Sequence, residues 1–188
     1  AGWIRRILKD RVHRVVVGHA KSSAWISKDP LKRDQLDAKK LAILLRMGQV
    51  HEVYYPDEDH RRIFKQIVQH YDDLTDQEAR LKKKIKARLR THGVIARGRE
   101  VFRPRGRVGF LVQVKSPVAR EPIEQLFTLL DQMLEAQGKA RGLMRREARK
   151  YPEISLFDEV PGVALVTACR FSAYVQTPHR FSAKRKLW

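Results

Sequence analysis

The chain has 188 residues, 43% of them hydrophobic, and sets 40 Lys and Arg against 21 Asp and Glu for a formal charge of +19. That is enough apolar content for one or two modest cores, and no stretch reaches the roughly 18 apolar residues a spanning helix needs, so no membrane partner is expected. The lone cysteine, Cys169, excludes an internal disulfide, and His and Cys never stand at zinc-ligand spacing, which points to a reducing cytoplasm.

The start Ala1-Gly2-Trp3-Ile4 carries neither an initiator Met nor a secretory signal, and Trp3, Ile4, Ile7 and Leu8 follow helical spacing. Arg14-Val15-Val16-Val17-Gly18 reads as a short buried strand, and Lys28 to Arg33, which contains Pro30, as a connection. A helix is predicted from about Gln35 to Met47, with Leu41, Ala42, Leu44 and Leu45 as its apolar face and Gly48 as its stop. Helix, strand and helix together suggest an α/β layer. Val53-Tyr54-Tyr55-Pro56 follows as a short extended segment.

Asp34 and Asp37 stand three residues apart where that helix begins, so they share one face with Cβ atoms roughly 5 to 6 Å apart. Two carboxylates so placed can reach one hard cation such as Mg²⁺, which needs only one or two acids when phosphate supplies the other oxygens. Aspartates at a helix start also serve as caps and complement the helix dipole, and that role accounts for the same spacing.

After Asp57, Glu58 and Asp59, a helix of about nine turns is predicted from Ile63, Ile67, Tyr71, Leu74, Leu81, Ile85 and Leu89, with Glu78 interrupting the seam. A second is predicted from near Glu121-Pro122, with Ile123, Leu126, Leu130, Met133, Ala140, Met144 and Ala148 on one face, weakened at Gly138 and Gly142. Two such helices form either an antiparallel hairpin or a coiled coil that also dimerises, so a homo-oligomer is expected.

The stretch from Arg80 to Arg107 holds Arg80, Lys82, Lys83, Lys84, Lys86, Arg88, Arg90, Arg97, Arg99, Arg103, Arg105 and Arg107 against Glu100 alone. Such a run repels itself without an anion, and neutralised phosphates release counterions, so nucleic acid fits better than an anionic membrane surface. A solvated helix face is the plainer alternative. Tyr54, Tyr55, Phe102 and Phe110 are the aromatic residues available to stack on bases. Val160-Pro161-Gly162-Val163 reads as a tight turn before a helix, a place where backbone N–H groups and Gly162 would meet phosphate, although Ala164 stands where the usual pattern has a second glycine. His179 to Trp188 reads as the start of another basic helix.

Three segments in this order resemble one family: Asp34-Gln35-Leu36-Asp37-Ala38 with Leu41-Ala42 and Gly48; the helix end Leu81-Lys82-Lys83-Lys84-Ile85-Lys86-Ala87-Arg88-Leu89; and Val160-Pro161-Gly162-Val163 with Arg180-Phe181 and Leu187-Trp188. They resemble the DEDD-type transposases of bacterial insertion sequences, the insertion-sequence one-ten family, related to the Piv-type DNA invertases. The resemblance implies a partial RuvC-like (RNase H-type) catalytic domain over residues 1–56, a basic helical hairpin or coiled coil over 57–152, and the start of a helix-hairpin-helix-like transposase domain over 153–188. It makes Asp34 and Asp37 the third and fourth of four Mg²⁺-holding acids. It places the other two before Ala1 and a serine nucleophile beyond Trp188, so the chain reads as truncated at both ends, binding nucleic acid without cutting it alone. Ser172 and Ser182 match neither the position nor the context of that serine. DNA is the expected partner, with a structured guide RNA that the basic cluster would contact as well.

Overall fold

An amphipathic helix longer than 30 residues has one apolar stripe to bury, and two of them in one chain bury it against each other. The computed structural model describes residues 2–19, 33–55 and 59–187. These hold seven α-helices: α1 (Gly2–Lys9), α2 (Asp34–Arg46), α3 (Asp59–Thr91), α4 (Pro104–Val112), α5 (Pro117–Ala148), α6 (Pro152–Asp158) and α7 (Leu165–Val175). The chain divides into two units, Ala1–Asp57 and Glu58–Trp188. Residues 28–32 of the expected connection, Pro56 to Glu58 and Trp188 lie outside the described residues.

In the first unit α1 forms as its spacing predicts, yet none of its residues is buried. α2 buries Leu44 but leaves Leu41 and Leu45 exposed, a narrower apolar face than predicted. It stops at Gly48, where Gln49 N–H donates to the Leu44 carbonyl at 2.9 Å. The expected strand is the main correction: Val15, Val16 and Val17 are half-buried, and pairing is confined to one antiparallel bridge between Gly18 and Glu52. Val53 N–H donates to the Val17 carbonyl at 2.8 Å and His19 N–H to the His51 carbonyl at 3.0 Å, and among the described residues no ladder extends beyond them. The β-branched run carries strand propensity, but propensity without a continuous partner does not make a sheet. Among the described residues the fold is therefore mainly helical.

In the second unit α3 and α5 pack antiparallel as an intrachain hairpin. The core gathers at its two ends. At the base, Phe64 and Val68 of α3 meet Met144 and Ala148 of α5, with Tyr151, Ile154, Ala168 and Cys169 from the segments beyond. At the tip, Ile85 and Leu89 meet Ile123, Phe127 and Leu130, closed over by Val94, Val101 and Val114. The predicted seam is shifted at the base, where Phe64 and Val68 are buried and Ile63 is 49% exposed. The cause is α7, which packs on the same stretch of α3 and turns its buried stripe toward a second neighbour. Midway, Glu78 does interrupt the apolar seam, and it is satisfied there. Gln137 donates to Thr75 Oγ1 at 2.9 Å and to Glu78 at 3.3 Å, and Lys82 pairs with Glu78. An apolar groove of about 460 Å³ runs along α3 and α5 past Leu74, Leu81, Leu129 and Met133.

α5 begins four residues earlier than predicted. Ser116 caps it by accepting from Ala119 N–H, Pro117 takes the first position, and Pro122 lies inside the helix. The basic helix expected from His179 is instead two 3₁₀ turns, Pro178–Arg180 and Lys184–Lys186, separated by extended residues at Phe181 and Ala183. Thr177 and Pro178 start a turn, and the Lys184-Arg185-Lys186 charges have no acid one turn away to favour its continuation.

A polar network locks α6 and α7 to the base of α3. Glu153 Oε1 accepts from Arg61 Nη1 and from the buried Ser172 hydroxyl, both at 2.9 Å, and Arg61 also lies 5.3 Å over the Tyr151 ring. Tyr151 in turn donates its hydroxyl to the His60 carbonyl at 3.0 Å and packs 4.5 Å from Phe64. Arg170 pairs with Asp72 at 2.6 Å. Burial pushes the Glu153 carboxyl upward, but a backbone hydrogen bond, Arg61 and Ser172 outweigh it and hold the group below the ordinary glutamate value of 4.5. A depressed folded-state value contributes stability above the unfolded value and loses it as pH falls through the folded one. Glu153→Ala, which removes the carboxylate that Arg61 and the buried Ser172 hydroxyl share, is expected to cost about 1–3 kcal/mol in urea unfolding. Glu153→Gln should flatten the fall in stability below pH 4.5, the ordinary value, in a pH series.

Candidate nucleic-acid interface

Asp34 and Asp37 occupy the first turn of α2, as their spacing predicts, but they do not cap it. The N-cap is Arg33, extended and without a side-chain cap hydrogen bond, so the aspartates favour the helix only through its dipole. Asp34 is exposed, whereas Asp37 Oδ1 is buried with no hydrogen-bond partner. An orphaned carboxylate oxygen of this kind suits a cation. Among the described residues no group of three or more potential ligands surrounds it.

The basic cluster sorts into two kinds of residue. Four of the twelve cations are structural. Lys82 pairs with Glu78 and Lys86 donates to the Gly98 carbonyl at 2.7 Å, and the two ammonium groups lie 5.3 and 5.4 Å from the Phe102 ring centre. Arg103 pairs with Glu100 at 3.1 Å. Arg107 is the keystone: its fork grips both oxygens of Asp131 at 2.5 Å, donates to the Phe102 carbonyl at 3.0 Å and lies 4.9 Å over the Phe127 ring. Its side chain is 11% exposed, so it is corrected from a candidate phosphate contact to a clamp between α4 and α5. The Arg107 hydrogen bonds also hold the Asp131 carboxyl below its ordinary range.

The other eight, Arg80, Lys83, Lys84, Arg88, Arg90, Arg97, Arg99 and Arg105, are exposed, and their side chains make no ion pair with a described residue. Five stand on the last three turns of α3, a length of about 15 Å, and three on the segment that folds back over the tip. No aromatic face at the tip is open for base stacking: Phe102 is covered by two lysines, Phe127 is buried under Arg107, and Phe110 packs on the tip core. Tyr55, in the first unit, is covered by Arg5 at 5.2 Å, and Tyr54 is 46% exposed.

Gly162 lies in the turn before α7 with φ +85°, a conformation that disfavours side chains, and Val163 N–H closes the turn on the Val160 carbonyl at 2.9 Å. Ala164 precedes α7 without a side-chain cap. Ser172 is buried and engaged by Glu153, which fits the exclusion of this serine as a nucleophile. Two residues that position the cation segment escaped sequence reasoning. A Cβ on Gly106 would stand 2.2 Å from the Glu100 carbonyl oxygen, so α4 packs on the preceding 3₁₀ turn, Glu100–Phe102, only through a glycine. Asp131, the partner of Arg107, is an isolated acid on a helix face with nothing in the local sequence to mark it.

No family model, no curated protein and no solved structure matches the chain. Gly106→Ala is expected to force α4 off the Glu100 turn and loosen the segment carrying Arg97, Arg99 and Arg105. Trypsin should then cleave there several-fold faster, and a cleavage pattern equal to the wild type would remove the close approach from the account.

Proposed function

We propose that the chain is the part of a DEDD-type insertion-sequence transposase that grips the phosphate backbone of nucleic acid with the tip of its helical hairpin. The observation that carries this reading is the division of the Arg80–Arg107 cluster. Its structural cations are consumed in holding the tip together, and the eight exposed ones make no ion pair among the described residues. Exposed like charges at this density destabilise the compact state through self-repulsion, and a polyanion relieves it. With the aromatic faces of the tip covered, base stacking there contributes little, so the tip holds its partner through phosphates and in a sequence-tolerant way. DNA and a structured guide RNA both meet that requirement.

The assignment to transposases rests on the order of the three motifs, and the first unit would then belong to a RuvC-like layer. Asp34 and Asp37 would hold Mg²⁺, and the unpartnered Oδ1 of Asp37 fits a metal ligand. A Mg²⁺ ion held there would supply Lewis-acid polarisation of a phosphodiester oxygen, and Asp34 and Asp37, both in the first turn of α2, are the residues that would hold it. A reading in which the chain only binds nucleic acid keeps the tip and discards the metal.

Two measurements separate these readings. Reversing Lys83, Lys84 and Arg88 to Glu should weaken binding to unrelated sequences alike and make the slope of log affinity against log salt shallower by about 3. An unchanged slope moves the contact elsewhere. Calorimetry with Mg²⁺ should give heat for the wild type that Asp34→Ala loses, and equal, negligible heats in both would end the metal role.

A further inference from the structure

At the opposite end of the hairpin from its tip, a small cavity of about 120 Å³ opens between the C-terminal turns of α5, the helix α6 and the start of α7. Its floor is apolar, formed by Ala148, Ile154 and Leu165, and its polar groups are Arg145, Arg149 and Ser155. We infer that this cavity binds a phosphate group, bracketed by the guanidinium groups of Arg145 and Arg149 and hydrogen-bonded by the Ser155 hydroxyl.

Arg145 lies in the last turn of α5 and Arg149 is its C-cap, still in helical conformation, so the two stand four residues apart on one face with Cβ atoms about 5 to 6 Å apart, and like charges so placed repel, a repulsion that an anion between them relieves. No neighbouring carboxylate supplies that anion. Glu147 takes Lys150 at 2.6 Å, and Glu153 is held by Arg61 and Ser172. Arg145, Arg149 and Ser155 make no side-chain hydrogen bond or ion pair with a described residue. Cations in the last turns of α5 complement its dipole, which explains their place along the helix but not their convergence with a hydroxyl on one cavity. The pocket of about 120 Å³ is open to solvent and has room for one tetrahedral oxyanion group. Two planar forks and a hydroxyl offer more donors than the two oxygens of one carboxylate can accept, whereas phosphate oxygens accept from several directions. The cavity stands on the arginine pair and the hydroxyl, without help from the turn at Gly162.

The test is a titration of the full chain with inorganic phosphate, read by nitrogen-15 NMR at the Ser155 amide and the Arg145 and Arg149 Nε–H groups. These signals are expected to shift and saturate together, while those of the tip residues Arg97 and Arg99 move without saturating. Arg145→Ala with Arg149→Ala should weaken the saturating phase at least tenfold. The Arg145→Lys, Arg149→Lys pair, which keeps the charge but loses the fork, should weaken it as well. Phosphate affinity that survives both double variants, or shifts spread evenly over all exposed arginines, would overturn the site. Because all these substitutions are at exposed side chains, an unchanged far-ultraviolet spectrum serves as the folding check. Reversal of Lys83 and Lys84 should leave the saturation intact, so failure of the tip and failure of this cavity are read separately. The source of the phosphate is read with a 20-base-pair duplex. A salt slope shallower by about 1 in the alanine pair assigns a nucleic-acid backbone phosphate, and an unchanged slope with retained inorganic-phosphate binding in the wild type assigns a free phosphorylated ligand.

Discussion

The pairing of α3 with α5 is the constraint from which the rest of the second unit follows. Each helix is about 50 Å long and has a single stripe to bury. Two helices alone bury only the seam between them, so a hairpin of this length needs further layers, and the chain supplies one at each end. At the base, α6 and α7 close over Phe64, Val68 and Met144. At the tip, α4 and the segment before it close over Ile85, Leu89 and Phe127. Ion pairs fix both layers, with Glu153–Arg61 and Arg170–Asp72 at the base and Arg107–Asp131 at the tip, and the first and last of these make the most contacts.

These two pairs differ in what they leave behind. At the base, the carboxylate is shared between a cation and a buried hydroxyl, and Arg61 reaches on to the Gln176 carbonyl at 3.3 Å. At the tip, three of the twelve cations are paired with acids, and the excess remains. Arg107 could be taken out of that excess only because its fork meets a carboxylate, a carbonyl and an aromatic face at once. The lysines nearest the fold-back, Lys82 and Lys86, use their long stems to cover Phe102. The tip is thus held together partly by the same charges that make it cationic, and reversing those particular charges would disturb the fold as well as binding.

Much of the helical frame was legible because its signal is periodic. The long helix after Asp59 and its partner from Ile123 onward follow from apolar spacing. The hairpin follows from their having nothing else to bury against. Two shorter helices, α4 and α6, were missed although each begins with a proline at its first position, Pro104 and Pro152, a signal that repeats at Pro117, where α5 was read as starting too late. The strand at Val15–Val17 failed because propensity is local and pairing is not. Of the candidate site, the location of the cation cluster was legible, but not its division. Nothing near Arg107 in sequence reveals Asp131, 24 residues away. Nor does Gly106 announce the carbonyl it must clear.

Charge along α3 sets the geometry of any long polyanion on this unit. Asp72, Asp73, Asp76 and Glu78 precede Arg80, so the middle of the hairpin carries acids where the tip carries cations. Asp72 and Glu78 are neutralised by Arg170 and Lys82, but Asp73 and Asp76 are exposed. A phosphate chain laid straight along the hairpin would pass those acids. From Met133, beside which Arg80 of the tip cluster stands, to Arg145 is 12 residues of α5, or about 18 Å, past the distance over which salt screens exposed charges at physiological ionic strength, about 8 Å. The two cationic ends therefore act as independent electrostatic sites. A single polyanion can occupy both only by arching away from the acidic middle. Two separate segments can occupy them with no such bend, and of the two arrangements that one asks less of the partner.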